Sequence, residues 1–204
     1  MTERIDIRLL AARDSLEALT ELLHRAYAPL VARGLNLTVG TQPVATTQRR
    51  IAEGQCFVAE QRGRIVGTVT VCGPYDLHTS PWAAGVAAFR DRDTAHFHQF
   101  AVAPELQRRG LGRRLVAACE RWARDHGYKR MALDVAEPAE ELRALHRSLG
   151  YVDVSTVQWD GKSYRSVVME KPLDQSPLRE HLRTLARYNR WATRELFAHV
   201  DSVP

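Results

Sequence analysis

The sequence predicts a mixed α/β domain, and three observations point to it. Strand-like and helix-like patterns interleave in the order β-α-α-β-β-β-α-β-α-β-β. An apolar-rich stretch, residues 96–102, runs through a Gly- and Arg-rich turn straight into an amphipathic helix. The 204 residues are 45% hydrophobic, enough to build the core of one ordinary domain with room for a small appendage.

Taken in order, residues 5–9 alternate and predict a first strand. Asp14-Ser15-Leu16-Glu17 makes a capping-box-like start for a helix with Leu16, Leu19, Leu23 and Ala26 inward. A loosely patterned stretch with Gly34, Gly40 and Pro43 follows, with a short helix expected around residues 46–52. Residues 56–60 and 65–71 flank Gln61-Arg62-Gly63-Arg64, a hairpin signal. Residues 73–94 form a long irregular stretch carrying Pro74, Tyr75, His78, Pro81, Trp82 and Phe89, and loops of that length are uncommon unless functional or disordered. After residues 96–102 comes a helix with Leu111, Leu115, Cys119 and Trp122 on one face, closing at Gly127. Residues 130–135 predict another strand. A helix opening at Pro138 presents Leu142, Leu145, His146 and Leu149 and stops at Gly150. Residues 151–159 and 164–169 predict a hairpin across Asp160-Gly161, a type I′ turn signal.

Composition narrows the function classes. Lys plus Arg number 29 against 24 Asp plus Glu, a net +5 that suits nucleic acid, a membrane surface or a polyanionic cofactor. Four arginines lie between Gln107 and Arg114, so much of the excess sits in one turn and favours the cofactor. No nucleic-acid-binding motif is present, and no apolar run approaches the ~18 residues of a membrane span. Cys56, Cys72 and Cys119 are odd in number and lie inside strand or helix patterns, as expected of reduced, buried thiols. Met1-Thr2-Glu3-Arg4 opens no apolar leader, so a soluble, cytoplasmic protein is expected.

The turn itself carries chemistry. The first amides of a helix have no partner within it, the dipole makes that end partly positive, and glycines let backbone close around an anion. The dinucleotide G-x-G-x-x-G and the Walker G-x-x-x-x-G-K patterns are both absent. Gln107-Arg108-Arg109-Gly110-Leu111-Gly112, following Ala101-Val102-Ala103-Pro104, resembles the acetyl-CoA motif Q/R-x-x-G-x-G/A of the GNAT N-acetyltransferases. The resemblance spans about residues 5–172 and implies a splayed mixed sheet flanked by helices, with acetyl-CoA as cosubstrate. It implies that backbone groups of Phe100, Ala101 and Val102, often beside a β-bulge, hold the pantetheine arm. Gln107, Arg108, Arg109, Gly110, Leu111, Gly112 and Arg113 would cradle the pyrophosphate.

Acetyl transfer to an amine needs a proton acceptor, a stabilised oxyanion and sometimes an acid for the departing thiolate. His96 and His98 lie two apart on one expected strand, so both side chains leave the same face. The stretch His96-Phe97-His98-Gln99-Phe100 resembles the paired-histidine strand of arylalkylamine N-acetyltransferases, where two imidazoles draw off the amine proton. Packing of a half-buried strand and a zinc site are the alternatives, although no third metal ligand lies near in sequence, and no metal is expected. Many relatives carry Asn-x-x-Ala-x-x-Leu-Tyr in the next helix; here Ala139 replaces the Asn and His146 the Tyr. His146 is either that acid or part of the helix's inner face. Tyr75, His78, Trp82 and Phe89 either wall an acceptor pocket or anchor their loop, and Asp134 and Glu137 could attract a cationic amine. The function expected is acetyl transfer to a primary amine of a small molecule by direct attack on the thioester. The alternative is a non-catalytic acyl-CoA-binding sensor or interaction module.

The transferase pattern occupies residues 1–173. Ser176-Pro177 then caps an amphipathic helical pattern, and residues 174–204 form a C-terminal extension. Leu185-Ala186-Arg187-Tyr188-Asn189-Arg190-Trp191-Ala192 resembles the first helix of DinB-like bundles without their metal ligands. A lone amphipathic helix is marginal in water, so docking or a homodimer through this helix is expected.

Overall fold

Strand β1 (Asp6–Leu9) pairs antiparallel with β2 (Gln55–Gln61), and β2 with β3 (Arg64–Cys72). β3 pairs antiparallel with β4 (Thr94–Val102), which runs parallel to β5 (Arg130–Ala136). β5 then pairs antiparallel with β7 (Ser166–Pro172), and β7 with β6 (Val152–Val157). The result is one seven-stranded mixed sheet in the order β1-β2-β3-β4-β5-β7-β6. This computed structural model describes residues 4–173 together with Leu185, Tyr188, Asn189, Trp191 and Thr193. The chain divides into two compact units, Met1–Leu173 and Asp174–Pro204. The five described residues of the second unit are helical. The assembly role and the DinB-like helix expected of 174–204 otherwise lie outside the described residues. No helix among the described residues is long and apolar enough to cross a membrane.

Helices cover both faces, and the strands are written for it. Consecutive residues leave opposite faces of a strand, so Val58 packs with Leu19, Leu22 and Leu23 of α1 (Leu16–Ala32) while Ala59 packs with the cluster of Leu115 and Cys119 of α4 (Leu111–Asp125). Ala101 and Val102 divide between the same two clusters. Leu19, Leu23, Leu115 and Cys119 have no exposed surface at all, and each such leucine contributes about 1.5–3 kcal/mol of transfer free energy. Cys56, Cys72 and Cys119 are free and buried.

Local chemistry explains the departures from expectation. The cap of α1 is Ser15, whose Oγ accepts from the Ala18 amide at 3.1 Å. Asp14 turns instead to the Arg8 guanidinium (2.7 Å) and the Ala11 amide (2.7 Å). A single-turn helix α2 (Thr38–Thr41) precedes α3 (Val44–Ile51), which starts after Pro43. α5 spans Glu140–Ser148, with Pro138 outside it because Ala139 is non-helical at φ −88°, ψ 64°. The β2–β3 turn closes in two residues, Arg62 and Gly63, both at positive φ (52° and 75°), the backbone of a type I′ turn. The Asp160-Gly161 turn is not that tight. β6 ends at Val157, paired with Ser166, so eight residues intervene. That loop is tied to the segment that follows α1. Asn36 Nδ2 donates to the Gly161 carbonyl (2.7 Å) and its Oδ1 accepts from the Ser163 amide (3.0 Å). The Lys162 ammonium donates to the Asn36 carbonyl (2.8 Å) and to Thr38 Oγ1 (2.7 Å).

The site is positioned by how β4 and β5 part. Their parallel ladder holds only Thr94–Arg130, Ala95–Met131 and His96–Ala132. Beyond it the strands diverge, β4 toward Val102 and β5 along β7. The sheet splits there into a wedge.

Candidate active site

Two cavities open in the wedge and share the walls Tyr27, Leu30, Phe100 and Leu142. One, about 520 Å³, is a groove lined by Phe100, Ala101, Val102, Gln107, Arg108, Gly110, Gly112 and Arg113. Arg109 is exposed and does not line it, and Leu111 is 3% exposed with its side chain in the core. Those two contribute backbone at most.

The groove is built from an irregular strand and an open helix end. Gln99 and Phe100 together face Val69, a β-bulge with Gln99 at φ 51°. The Ala103 amide still donates to Val66 of β3 (2.9 Å), so Ala101 faces β3 as well and Phe100 and Val102 turn their backbone to the wedge. Their carbonyls there accept from Tyr27 Oη (2.9 Å) and Gln107 Nε2 (3.1 Å). The N-cap of α4 is Gly110, at φ 82° and with no side chain to satisfy the first-turn amides. Arg108 stands at φ 58° just before it. An uncapped helix start between two arginines suits a diphosphate. Gly112 lets the helix approach the strand, since a Cβ there would stand 3.0 Å from Phe100 Cζ.

The second cavity, about 530 Å³, holds all three candidate histidines. His96 is 2% exposed, with its ring against Tyr75 (4.2 Å) and Phe89 (5.1 Å) and Nε2 3.1 Å from Cys72 Sγ. Burial, and then the neighbouring His98, push its pKa down to about 3. His98 is less enclosed, its side chain 11% exposed, and its Nε2 lies 3.3 Å from Glu53 Oε2. The pair is close enough for charge attraction but lacks hydrogen-bond alignment. Burial lowers the pKa of His98 and the contact with Glu53 partly restores it. His146 is 3% exposed among Phe97, Phe100 and Tyr151, and burial takes its pKa down to about 4. It is therefore a neutral ring at neutral pH, not a standing imidazolium.

The irregular stretch supplies an aromatic wall. Tyr75, Trp82 and Phe89 line the cavity with Trp159. Tyr75 and Trp82 meet at 4.6 Å, Trp82 and Trp159 at 5.6 Å, and Phe89 stacks on Trp159 at 6.4 Å. His78 is not part of it. Asp134 lines the cavity and accepts from the Trp159 indole (2.9 Å), whereas Glu137 is paired with Arg165 (3.1 Å) and lies elsewhere.

Sequence reasoning missed Glu53, Arg50 and Lys162, which also line this cavity. Glu53 sits just past α3, far from His98 in the chain, and nothing in the spacing announces their meeting. Burial pushes its carboxyl up, but His98, Arg50 and the Tyr75 hydroxyl (3.2 Å) together hold it below the ordinary range. Among the described residues no group of three or more His, Cys, Asp or Glu is arranged to hold a metal ion.

The sequence profile described as "Acetyltransferase (GNAT) family" matches residues 16–151. A Bacillus subtilis (strain 168) protein named S-(2-succino)cysteine N-acetyltransferase is 29% identical over 168 residues, 81% of this chain and 94% of the relative. The crystal structure of the ribosomal-protein-S18-alanine N-acetyltransferase from Escherichia coli is similar at TM-score 0.62 and 19% identity, covering 85% of this chain and 96% of that one. The structure described as "yncA, a putative acetyltransferase from Salmonella typhimurium with its cofactor Acetyl-CoA" is similar at TM-score 0.61 and 21% identity, with the same coverage.

Proposed function

The chain belongs to the acetyltransferase (GNAT) family and is an acyltransferase; on that premise we propose that it moves an acetyl group from acetyl-CoA to a primary amine of a small molecule. One observation carries the reading: the Gly110 groove and the histidine cavity meet at Phe100 and Tyr27. A diphosphate seated at Arg108, Gly110, Gly112 and Arg113 would direct the pantetheine along the wedge-facing backbone of Phe100 and Val102. Acetyl-CoA supplies the activated acyl group as a thioester.

The residues of this chain then have three tasks. The groove orients the donor, which removes much of the entropic barrier. The aromatic wall excludes water and takes the body of the acceptor. His98, backed by Glu53, receives the proton, directly or through one water, as the neutral amine attacks the carbonyl carbon. One C–N bond forms, one C–S bond breaks, and one proton passes from nitrogen to His98. His96, tied to Cys72 and wedged between rings, positions that strand. A small-molecule acceptor is supported by the cavity's volume of about 530 Å³ and its aromatic wall, and one relative is named for the small molecule S-(2-succino)cysteine.

The test joins calorimetry of CoA binding to acetyl-CoA turnover against a panel of small amines, amino acids, polyamines, aminoglycosides and peptide N-termini. Binding with turnover of at least one small amine is expected. Binding with no turnover would favour an acyl-CoA sensor, and no binding would remove the cofactor assignment.

A further inference from the structure

The acceptor cavity is lined by both carboxylates and cations, and the two sets are in different states. Its carboxylates are engaged: Glu53 with Arg49 (3.1 Å), His98 (3.3 Å) and the Tyr75 hydroxyl (3.2 Å), and Asp134 with the Trp159 indole (2.9 Å). Its other cations are not matched in this way. Arg50 Nη1 reaches only the neutral Gln42 Oε1, at 3.4 Å, and the Lys162 ammonium donates to the Asn36 carbonyl and the Thr38 hydroxyl. Among the described residues neither cation forms a close ion pair with a carboxylate, although the charge of Arg50 acts on Glu53 at longer range.

We propose that the acceptor is an amino acid-like zwitterion, its carboxylate held by Arg50 and Lys162 and its apolar side chain by Tyr75, Trp82, Phe89 and Trp159. This rests on the transferase reading and narrows its substrate. Two half-buried cations facing one cavity repel each other, and an anion between them relieves that cost. Burial and the charge of Arg50 already hold the Lys162 ammonium below its ordinary pKa. A second observation points the same way. Gln99 is 4% exposed and lines this cavity, yet neither its amide oxygen nor its nitrogen has a hydrogen-bond partner. Leaving buried polar atoms unpaired is costly, so a polar ligand group is expected there. CoA phosphates do not explain these cations, because Arg108 and Arg113 line the other groove. The ammonium end of the zwitterion belongs beside Glu53 and His98, where His98 can take its proton.

Matched acceptors test this: L-phenylalanine against phenethylamine, and L-tryptophan against tryptamine. The carboxylate-bearing member of each pair is expected to have a kcat/KM at least about ten-fold higher. Arg50→Gln and Lys162→Gln are each expected to shrink that ratio through KM. An equilibrium arm needs no turnover: N-acetyl-L-phenylalanine and N-acetylphenethylamine are titrated onto CoA-loaded enzyme, following intrinsic tryptophan fluorescence, to which Trp82 and Trp159 of the cavity contribute. Tighter binding of the carboxylate, lost in R50Q, is expected. Equal or reversed preference, no saturable binding of the carboxylate, or a preference that survives both substitutions overturns the proposal. CoA affinity, measured in parallel on each variant, reports separately on the transferase reading.

Discussion

His98 is the histidine best placed to work as a base, and Glu53 is why. A buried imidazole alone loses basicity, as His96 and His146 do, at about 3 and about 4. The carboxylate 3.3 Å from His98 counters that loss and would stabilise an imidazolium formed there by proton transfer. His98→Gln is expected to lower kcat/KM by about 10²-fold or more, while near-normal rates at every pH would remove this residue from the chemistry. Glu53→Gln gives a finer test. Glu53 raises the pKa of His98, so its removal lowers that pKa. The rising limb of the kcat/KM profile, which follows loss of the His98 proton, moves to lower pH as the plateau falls. A limb that stays in place would leave Glu53 a packing residue.

The loop between β6 and β7 shows what an element can do that its turn residues do not announce. Asp160-Gly161 carries the signal of a two-residue turn, yet the strands stop early. Asn36 and Thr38 offer hydrogen-bond partners to the loop in place of the last ladder bonds, and Trp159 contacts Phe89 and Asp134. Asn36→Ala deletes three of these bonds, to Gly161, to the Ser163 amide and to the Ser163 hydroxyl. It is expected to raise acceptor KM several-fold with CoA affinity unmoved, and equal KM values would show the strap to be incidental. On the other groove, Arg108→Gln with Arg113→Gln is expected to weaken CoA binding about ten-fold or more, most at low salt, because the arginines meet a polyanion. The strand, turn and helix of that groove were legible because their signals are local: an apolar run, a glycine that must sit at φ 82°, and a helical face. The wedge-facing backbone of Phe100 and Val102 was legible only through the family resemblance. Glu53, Arg50 and Lys162 were not legible, since their role comes from chain segments meeting across the sheet.

At the scale of the whole molecule, the sheet's split places ionisable rings in the interior, and this sets how the fold responds to acid. An unfolded histidine takes up its proton near pH 6.5, whereas His96 and His146 in the fold do so only near about 3 and about 4. Between those values the unfolded chain binds more protons, so stability falls as pH falls from 6.5 toward 3, and little is lost above 6.5. The loss is on the order of a few kcal/mol, a large share of a typical domain's stability. Carboxylates act later. Asp14, held at about 2 by the Arg8 guanidinium, stabilises the fold above its unfolded value of 3.8 and yields only as pH drops through that range. Acid sensitivity between pH 6.5 and 5 therefore belongs mainly to the buried rings. The urea midpoint of the wild type is expected to fall clearly from pH 7 to pH 5. His146→Phe keeps an aromatic ring among Phe97, Phe100 and Tyr151 but removes the proton site, so its midpoint is expected to fall less over the same interval. Parallel pH dependences for the two proteins would mean that His146 is not held neutral in the fold.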